Sequence, residues 1–189
     1  MARPRSEDKQ LALLEAATAV VAERGLGAPT SAIAKLAGVA EGTLFRYFST
    51  KDALLNALFL HINRGMCEYM TANYRAELSL GPRMESLWNS YIDWGLAHPQ
   101  ANKAVNQLSV SDVIRPEVRA ESDKLFPEMD AAAAFWNSQI FAGLPNAFSE
   151  AVFVAVADAT MSFAAREPAQ ADAYKASGFA AITKMLADS

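Results

Sequence analysis

The segment between Glu41 and Lys51 holds several hydrogen-bonding side chains at helical spacing. Within it, Thr43, Arg46 and Tyr47 supply a hydroxyl, a guanidinium and a phenol. Such groups bind the base edges and phosphate oxygens of DNA when a helix presents them together, because a helix has the right width for the major groove. These residue types therefore suit recognition of a nucleic acid, and an ordinary helix pair of a helical protein is the alternative on this pattern alone.

Residues suited to catalysis are few and poorly placed. His61 and His98 are the only histidines, and Asp93 lies five residues before His98. His98 precedes Pro99 at a predicted helix end, whereas His61 lies within a long predicted helix, so we do not expect them to share a pocket. The chain has no nucleophile elbow, no glycine-rich phosphate loop and no His/Glu pair at metal spacing. We predict no enzymatic activity, no metal site and no cofactor.

Composition and charge favour a folded protein with one basic end. Apolar residues make up 52% and charged residues 20% of the 189 residues. Residues 1–51 hold seven Lys or Arg and five Asp or Glu, a net charge of +2, whereas the remainder has a net charge of −6. This asymmetry suits a protein that presents one end to phosphate.

The sequence carries no feature of export or membrane insertion. The first residues, MARPRSEDKQ, are polar, and no signal-peptide-like apolar block follows them. No run reaches the roughly 18 apolar residues that a membrane span needs. Cys67 is the only cysteine, which excludes an intrachain disulfide. We expect a cytoplasmic protein without membrane contact.

Helical periodicity dominates the chain, and alternating strand patterns bounded by hairpin turns are absent. The fold is therefore predicted to be all-α, with about nine helices. The predicted helices begin at Glu7, Thr30, Glu41 and Ser49 and continue at about 83–97, 100–111, 117–142, 147–166 and 169–187.

The second and third predicted helices meet at a tight turn, where Gly38 is free to adopt a positive φ. Leu44 packs this helix pair together, and we place Phe45 and Phe48 on the same core side as Leu44. Glycine near the start of the third helix permits close approach of the backbone to DNA. The outer side of this helix carries the candidate contact residues Glu41, Gly42, Thr43, Arg46 and Tyr47.

The segment TSAIAKLAGVAEGTLFRYFSTKDALL, residues 30–55, resembles the DNA-binding domain of the TetR family of transcriptional regulators. That family typically has T-x-x-I-A-x-x-A-G-V-x-x-G-T-L-Y-x-Y-F-x-x-K. Phe45 stands where tyrosine is usual, and Ala40 stands where serine is common. Twelve positions fit: Thr30, Ile33, Ala34, Ala37, Gly38, Val39, Gly42, Thr43, Leu44, Tyr47, Phe48 and Lys51.

The resemblance implies a role for each matching contact residue. Thr30 and Tyr47 should bind phosphates, Lys51 should neutralise one, and Thr43 and Arg46 should contact bases or the groove. For Arg46, a solvated surface position is the alternative.

Three further charged residues have open alternatives. Arg3 and Arg5 resemble a flexible arm that lies along the DNA backbone or enters a minor groove, although they also fit plain disordered charge. Glu41 either accepts from a cytosine amino group or points away from the DNA.

The resemblance implies a DNA-binding domain at 7–65, with the helix-turn-helix at about 29–48, and a helical effector-binding and dimerisation domain at 66–189. Helix-turn-helix proteins usually read palindromic operators with half-sites about 34 Å apart, so we expect a homodimer. Intrachain core is the alternative for the apolar stripes of the last two helices. The predicted dimer residues are Phe148, Val152, Val156, Phe163, Phe179 and Ile182.

In the family, the middle of the chain holds an effector pocket. Its richness in Met and aromatic residues here would suit a mainly apolar small molecule, although any one of them also fits ordinary core. The predicted ligand residues are Met66, Met70, Trp88, Tyr91, Trp94, Phe126, Met129 and Trp136. We expect a homodimeric repressor that leaves a double-stranded operator when an unknown effector binds. The alternative is a helical protein-interaction module without specific DNA binding.

Overall fold

The computed structural model describes residues 5–72, 74, 77–126 and 146–187. All regular structure in these ranges is helical, which confirms the all-α prediction. The described residues form nine α-helices: α1 (Arg5–Arg24), α2 (Thr30–Leu36), α3 (Glu41–Tyr47), α4 (Lys51–Thr71), α5 (Leu80–Ala97), α6 (Pro99–Ser109), α7 (Pro116–Asp123), α8 (Asn146–Arg166) and α9 (Ala171–Ala187). A 3-10 turn, Pro168–Gln170, lies between α8 and α9. Three residues named above, Arg3, Met129 and Trp136, lie outside the described residues.

The chain divides into two compact units. The first comprises the residues up to Gly65 together with His98–Leu125, and the second comprises Met66–Ala97 together with the described residues from Phe126 onward. The first unit thus includes α6 and α7, which the sequence boundary at residue 65 assigns to the second domain. This unit holds twelve Lys or Arg against ten Asp or Glu, so the excess of positive charge stays within it.

In the first unit, α1 packs against α2 and α6, and α2 packs against α3. Its innermost side chains come from every helix from α1 to α4 and from α6, because each is amphipathic and turns one apolar stripe inward. The side chains that are almost fully buried are Leu13, Val21, Ile33, Leu44, Leu54, Leu58 and Leu108.

Two glycines end helices in the way that their positions predict. Gly25 has φ +78° after α1, and Gly38 has φ +70° in the turn between α2 and α3. Only glycine adopts such angles without strain from a Cβ atom. The N-terminal cap of α4 is Thr50, one residue after the predicted helix start at Ser49, because the backbone N–H of Ala53 donates to Oγ1 of Thr50 at 3.0 Å.

In the second unit, α8 packs against α9, and α5 packs against both. Trp88 of α5 donates from Nε1 to the carbonyl oxygen of Lys175 in α9 at 2.9 Å. The Lys175 ammonium in turn lies 2.6 Å from a carboxylate oxygen of Asp93. These contacts fix α5 against α9 at two neighbouring points.

Within the described part of the chain, no helix is both long and apolar enough to cross a membrane. The same residues contain no cluster of His, Cys, Asp and Glu that would hold a metal ion.

Candidate nucleic-acid interface

Helix α3 presents a continuous outer face. Glu41, Gly42, Phe45 and Arg46 are exposed, whereas Leu44 is completely buried. These exposed positions are spaced i, i+1, i+4 and i+5, which places them on one side of a helix. The face therefore carries a carboxylate, bare backbone, a phenyl ring and a guanidinium.

Thr43 and Tyr47 lie at the edges of this face. Both are partly buried, and they are four residues apart, so they follow one another along the helix. Lys51 is the first residue of α4 and is also partly buried. A lysine in such a position packs its methylene chain against the protein while its ammonium group stays in solvent.

Thr30 and Glu41 are brought together by the turn between α2 and α3. The Thr30 hydroxyl donates to Oε1 of Glu41 at 2.6 Å. Neither α2 nor α3 has a side-chain cap, because Pro29 and Ala40 occupy the capping positions. Two candidate DNA-contact residues thus bind one another in the free protein, and this bond joins the starts of the two helices.

Phe45 is the position on α3 that the sequence analysis assigned incorrectly. Its side chain is 43% exposed, whereas Leu44 and Phe48 are buried as expected. Leu44 and Phe48 are four residues apart and share the inward face, while each residue turns a helix by about 100°. Phe45 therefore points about 100° away from Leu44, and a count of helical angles would have revealed this.

Asn56 is a buried residue that the sequence analysis did not single out. It lies on α4 and is only 3% exposed. Its Nδ2 donates to the carbonyl oxygens of Asp52 at 2.7 Å and Val113 at 2.9 Å, and its Oδ1 accepts from the backbone N–H of Arg115 at 3.0 Å. The amide thereby fastens the helix that follows α3 to the loop that precedes α7.

The candidate ligand residues of the second unit form part of an aromatic cluster. Trp88, Tyr91 and Trp94 are buried on α5, and the rings of Tyr91 and Trp94 stack with centroids 6.3 Å apart. Phe153 of α8, which the sequence analysis did not name, lies 5.5 Å from the rings of both Trp88 and Tyr91. Burial, reinforced by the charge of Asp158, raises the pKa of the Tyr91 phenol above its ordinary value.

The remaining candidate ligand residues differ in burial. Met66 and Met70 are buried on α4, whereas Phe126 is partly exposed outside any helix.

The candidate dimer residues also differ in exposure. Phe148 and Phe163 are about half exposed, at 49% and 47%. Val152, Val156 and Phe179 are partly buried. Ile182 is 1% exposed and belongs to the core of its own unit. This burial agrees with the alternative to a dimer contact, an intrachain core position.

Residues 13–58 match the model of the bacterial regulatory proteins of the tetR family. Over 78 residues the chain is 33% identical to the nucleoid occlusion factor SlmA of Haemophilus influenzae strain PittGG. That match covers 41% of this chain and 36% of the relative, so the chain spans about a third of the length of the curated relatives it matches.

Solved structures share the fold over nearly the whole chain. A TetR family transcription regulator from Marinobacter aquaeolei VT8 has a TM-score of 0.75 at 20% identity, covering 98% of both chains. The TetR-like regulator LfrR of Mycobacterium smegmatis, solved in complex with proflavine, has a TM-score of 0.65 at 21% identity and covers 93% of this chain and 95% of that one. The matched N-terminal domain and the shared fold are those of helix-turn-helix transcriptional regulators. Residues 13–58 thus carry an N-terminal domain of the TetR type.

Proposed function

We propose that the chain binds double-stranded DNA through α3 in the major groove and thereby controls transcription as a homodimer on a palindromic operator. The observation that carries this proposal is the outer face of α3, on which Gly42, Phe45 and Arg46 are all exposed. The unit that holds this face has the net positive charge, whereas the other unit has a net charge of −6. Phosphate attraction therefore acts on the unit that carries the helix-turn-helix.

The direct test is a selection of bound sequences from a random duplex library by the full chain. A regulator of this kind enriches one motif with two-fold symmetry, because two copies of α3 read the same half-site. Recovery of unenriched sequences from a folded protein would favour the alternative, a helical protein-interaction module.

Lys51 offers a quantitative test of phosphate contact. On the selected duplex, Lys51→Ala should reduce the slope of log K against log salt by about one, because each neutralised phosphate contributes about 0.9. The preferred sequence should not change, since phosphates carry no base information. Lys103→Ala is the matched control, because Lys103 is an exposed lysine of the same unit on α6. Equal slopes for Lys51→Ala and the unmodified chain would mean that Lys51 does not neutralise a phosphate of the DNA.

The proposed dimer forms through α8 and α9. The exposed positions of α8 are mostly apolar or small, including Phe148, Ala151, Ala155, Ala159 and Phe163. The exposed side of α9 continues this pattern with Ala173, Ala176 and Ala181. Small side chains allow two helix pairs to approach closely, and the two half-exposed phenylalanines supply apolar area for burial.

Ala155→Arg should weaken this dimer. A charged side chain at the centre of the exposed α8 face is expected to raise the dimer dissociation constant at least about fivefold, because charge is disfavoured in the core of an interface. Sedimentation equilibrium measures this directly. Ala120→Arg is the control, since Ala120 is an exposed alanine of α7 in the first unit. If both variants dimerise like the unmodified chain, another surface holds the dimer together.

The proposed effector is a small, mainly apolar molecule that binds among the aromatic residues of the second unit and releases the operator. The aromatic cluster of Trp88, Tyr91, Trp94 and Phe153 supports this, and a regulator of similar fold was solved with proflavine. Release requires that the effector prefer the dimer shape that does not bind DNA, and typical coupling amounts to about 1–3 kcal/mol. Operator affinity measured with and without proflavine and other planar apolar compounds tests the link. If compounds bind the second unit and DNA affinity does not change, the repressor mechanism is excluded for them.

A further inference from the structure

We propose that Phe45 determines part of the operator sequence by reading the C5-methyl group of a thymine in each half-site, an inference that rests on the proposed function. The phenyl ring lies on the outer face of α3, between the exposed residues Glu41 and Arg46. Its exposure of 43% is high for a phenylalanine, whereas the neighbouring Leu44 and Phe48 are buried. Within the proposed contact face, a phenyl ring is matched best by an apolar group of the partner, because contact with a polar group would desolvate that group without replacing its hydrogen bond.

The chemistry of the major groove identifies this counterpart. A phenyl ring has no donor or acceptor, so it does not form the hydrogen bonds by which phosphates and most base edges are recognised. The only apolar group that a standard base pair presents in the major groove is the thymine methyl. Adenine, guanine and cytosine offer donors and acceptors there, which a phenyl ring would desolvate without replacing their hydrogen bonds.

The surroundings of Phe45 leave room for such a contact. Gly42 lies three residues earlier, on the same side of the helix, and carries no side chain. A Cβ atom built on Gly42 meets no atom within 4 Å among the described residues, so this flank of the ring is open. Arg46, the next residue, is exposed and able to bind a guanine in bidentate fashion. The outer face of α3 therefore places an apolar side chain, Phe45, next to a cationic side chain, Arg46.

Replacing single thymines by deoxyuridine in the selected duplex tests this proposal, because the exchange removes only the methyl group. Burial of one methyl-sized group is worth about 0.8 kcal/mol, which corresponds to about a fourfold change in Kd. For the unmodified chain we expect one thymine per half-site whose replacement weakens binding about fourfold. With Phe45→Ala, the same replacement should leave Kd unchanged, whereas Phe45→Leu should retain most of the discrimination.

Leu36→Ala is the matched control, since Leu36 of α2 is also an exposed apolar residue, at 58%. Its sensitivity to deoxyuridine should equal that of the unmodified chain. Circular dichroism melts establish that each variant is folded. The proposal is overturned if specific binding occurs but no thymine is sensitive, or if Phe45→Ala retains the sensitivity. Absence of any specific binding would instead refute the proposed function, so the two failures are distinguishable.

Discussion

Asn56→Ala is expected to lower the free energy of unfolding of the first unit by about 2–4 kcal/mol. The substitution removes the acceptor for the Arg115 backbone N–H and a donor to the Val113 carbonyl oxygen. Each polar group left unpaired away from water costs about 1–3 kcal/mol. Because Asn56 is 3% exposed, alanine also leaves a cavity that the neighbouring side chains fill only partly.

Hydrogen exchange localises this effect. In the unmodified chain, the Arg115 amide should be protected from exchange, because Asn56 accepts its proton. In Asn56→Ala that protection should fall more than that of amides in the middle of α1, since the loop before α7 loses its attachment to α4. Denaturant unfolding followed by circular dichroism gives the corresponding change in stability.

Asn63 provides the control for Asn56. It lies on the same helix and is buried, and its Nδ2 donates to the carbonyl oxygen of Phe59 in that helix at 2.8 Å. That carbonyl already belongs to the helix, so Asn63→Ala should cost about 1 kcal/mol and leave Arg115 protected. Equal destabilisation by the two substitutions would contradict a specific role for the bridge to the loop.

The case of Asn56 shows what the sequence specifies and what it leaves open. Local signals located most of the helices and two of their ends: Gly25 and Gly38 adopt the positive φ that their positions predict, and the apolar stripe of α1 is largely buried. These features depend on residues within one or two turns of each other. The bond from Asn56 to Val113 joins residues 57 positions apart, and a single sequence contains no signal for that pairing.

In the candidate interface, too, the local motif was predictable from the sequence, whereas contacts that depend on the packing of helices were not. The family motif predicted the helix-turn-helix, and residues 13–58 match the model of the tetR family. Orientation within the helix was less certain, because three apolar residues at 44, 45 and 48 do not all fit on one narrow face of a seven-residue helix. The hydrogen bond between Thr30 and Glu41 was also unforeseen, since it depends on the angle at which α2 and α3 meet.

The second unit also depends on a contact between residues that are distant in the sequence, the close packing of Gly178 against Thr160 and Trp88. Gly178→Ala should disrupt this packing. A Cβ atom on Gly178 would lie 2.5 Å from Oγ1 of Thr160 and 2.7 Å from Cζ2 of Trp88. Both distances are well below van der Waals contact, so α9 must move away from α5 and α8. Overpacking of this kind costs about 1–3 kcal/mol, whereas alanine gains at most about 1 kcal/mol over glycine in a helix. The clash should therefore dominate, and the second unit should become less stable.

Two further variants decide whether the clash is the cause. Gly65→Ala places the same change in α4, where the added Cβ meets no described atom within 4 Å, so it should stabilise the chain slightly. Adding Thr160→Ala to Gly178→Ala removes the closest clashing atom and should restore part of the lost stability. The Trp88 indole N–H, which donates to Lys175 one turn before Gly178, should exchange faster in Gly178→Ala than in the unmodified chain. If Gly178→Ala were as stable as Gly65→Ala and its indole proton were equally protected, α9 would not pack against Trp88 at this distance in solution.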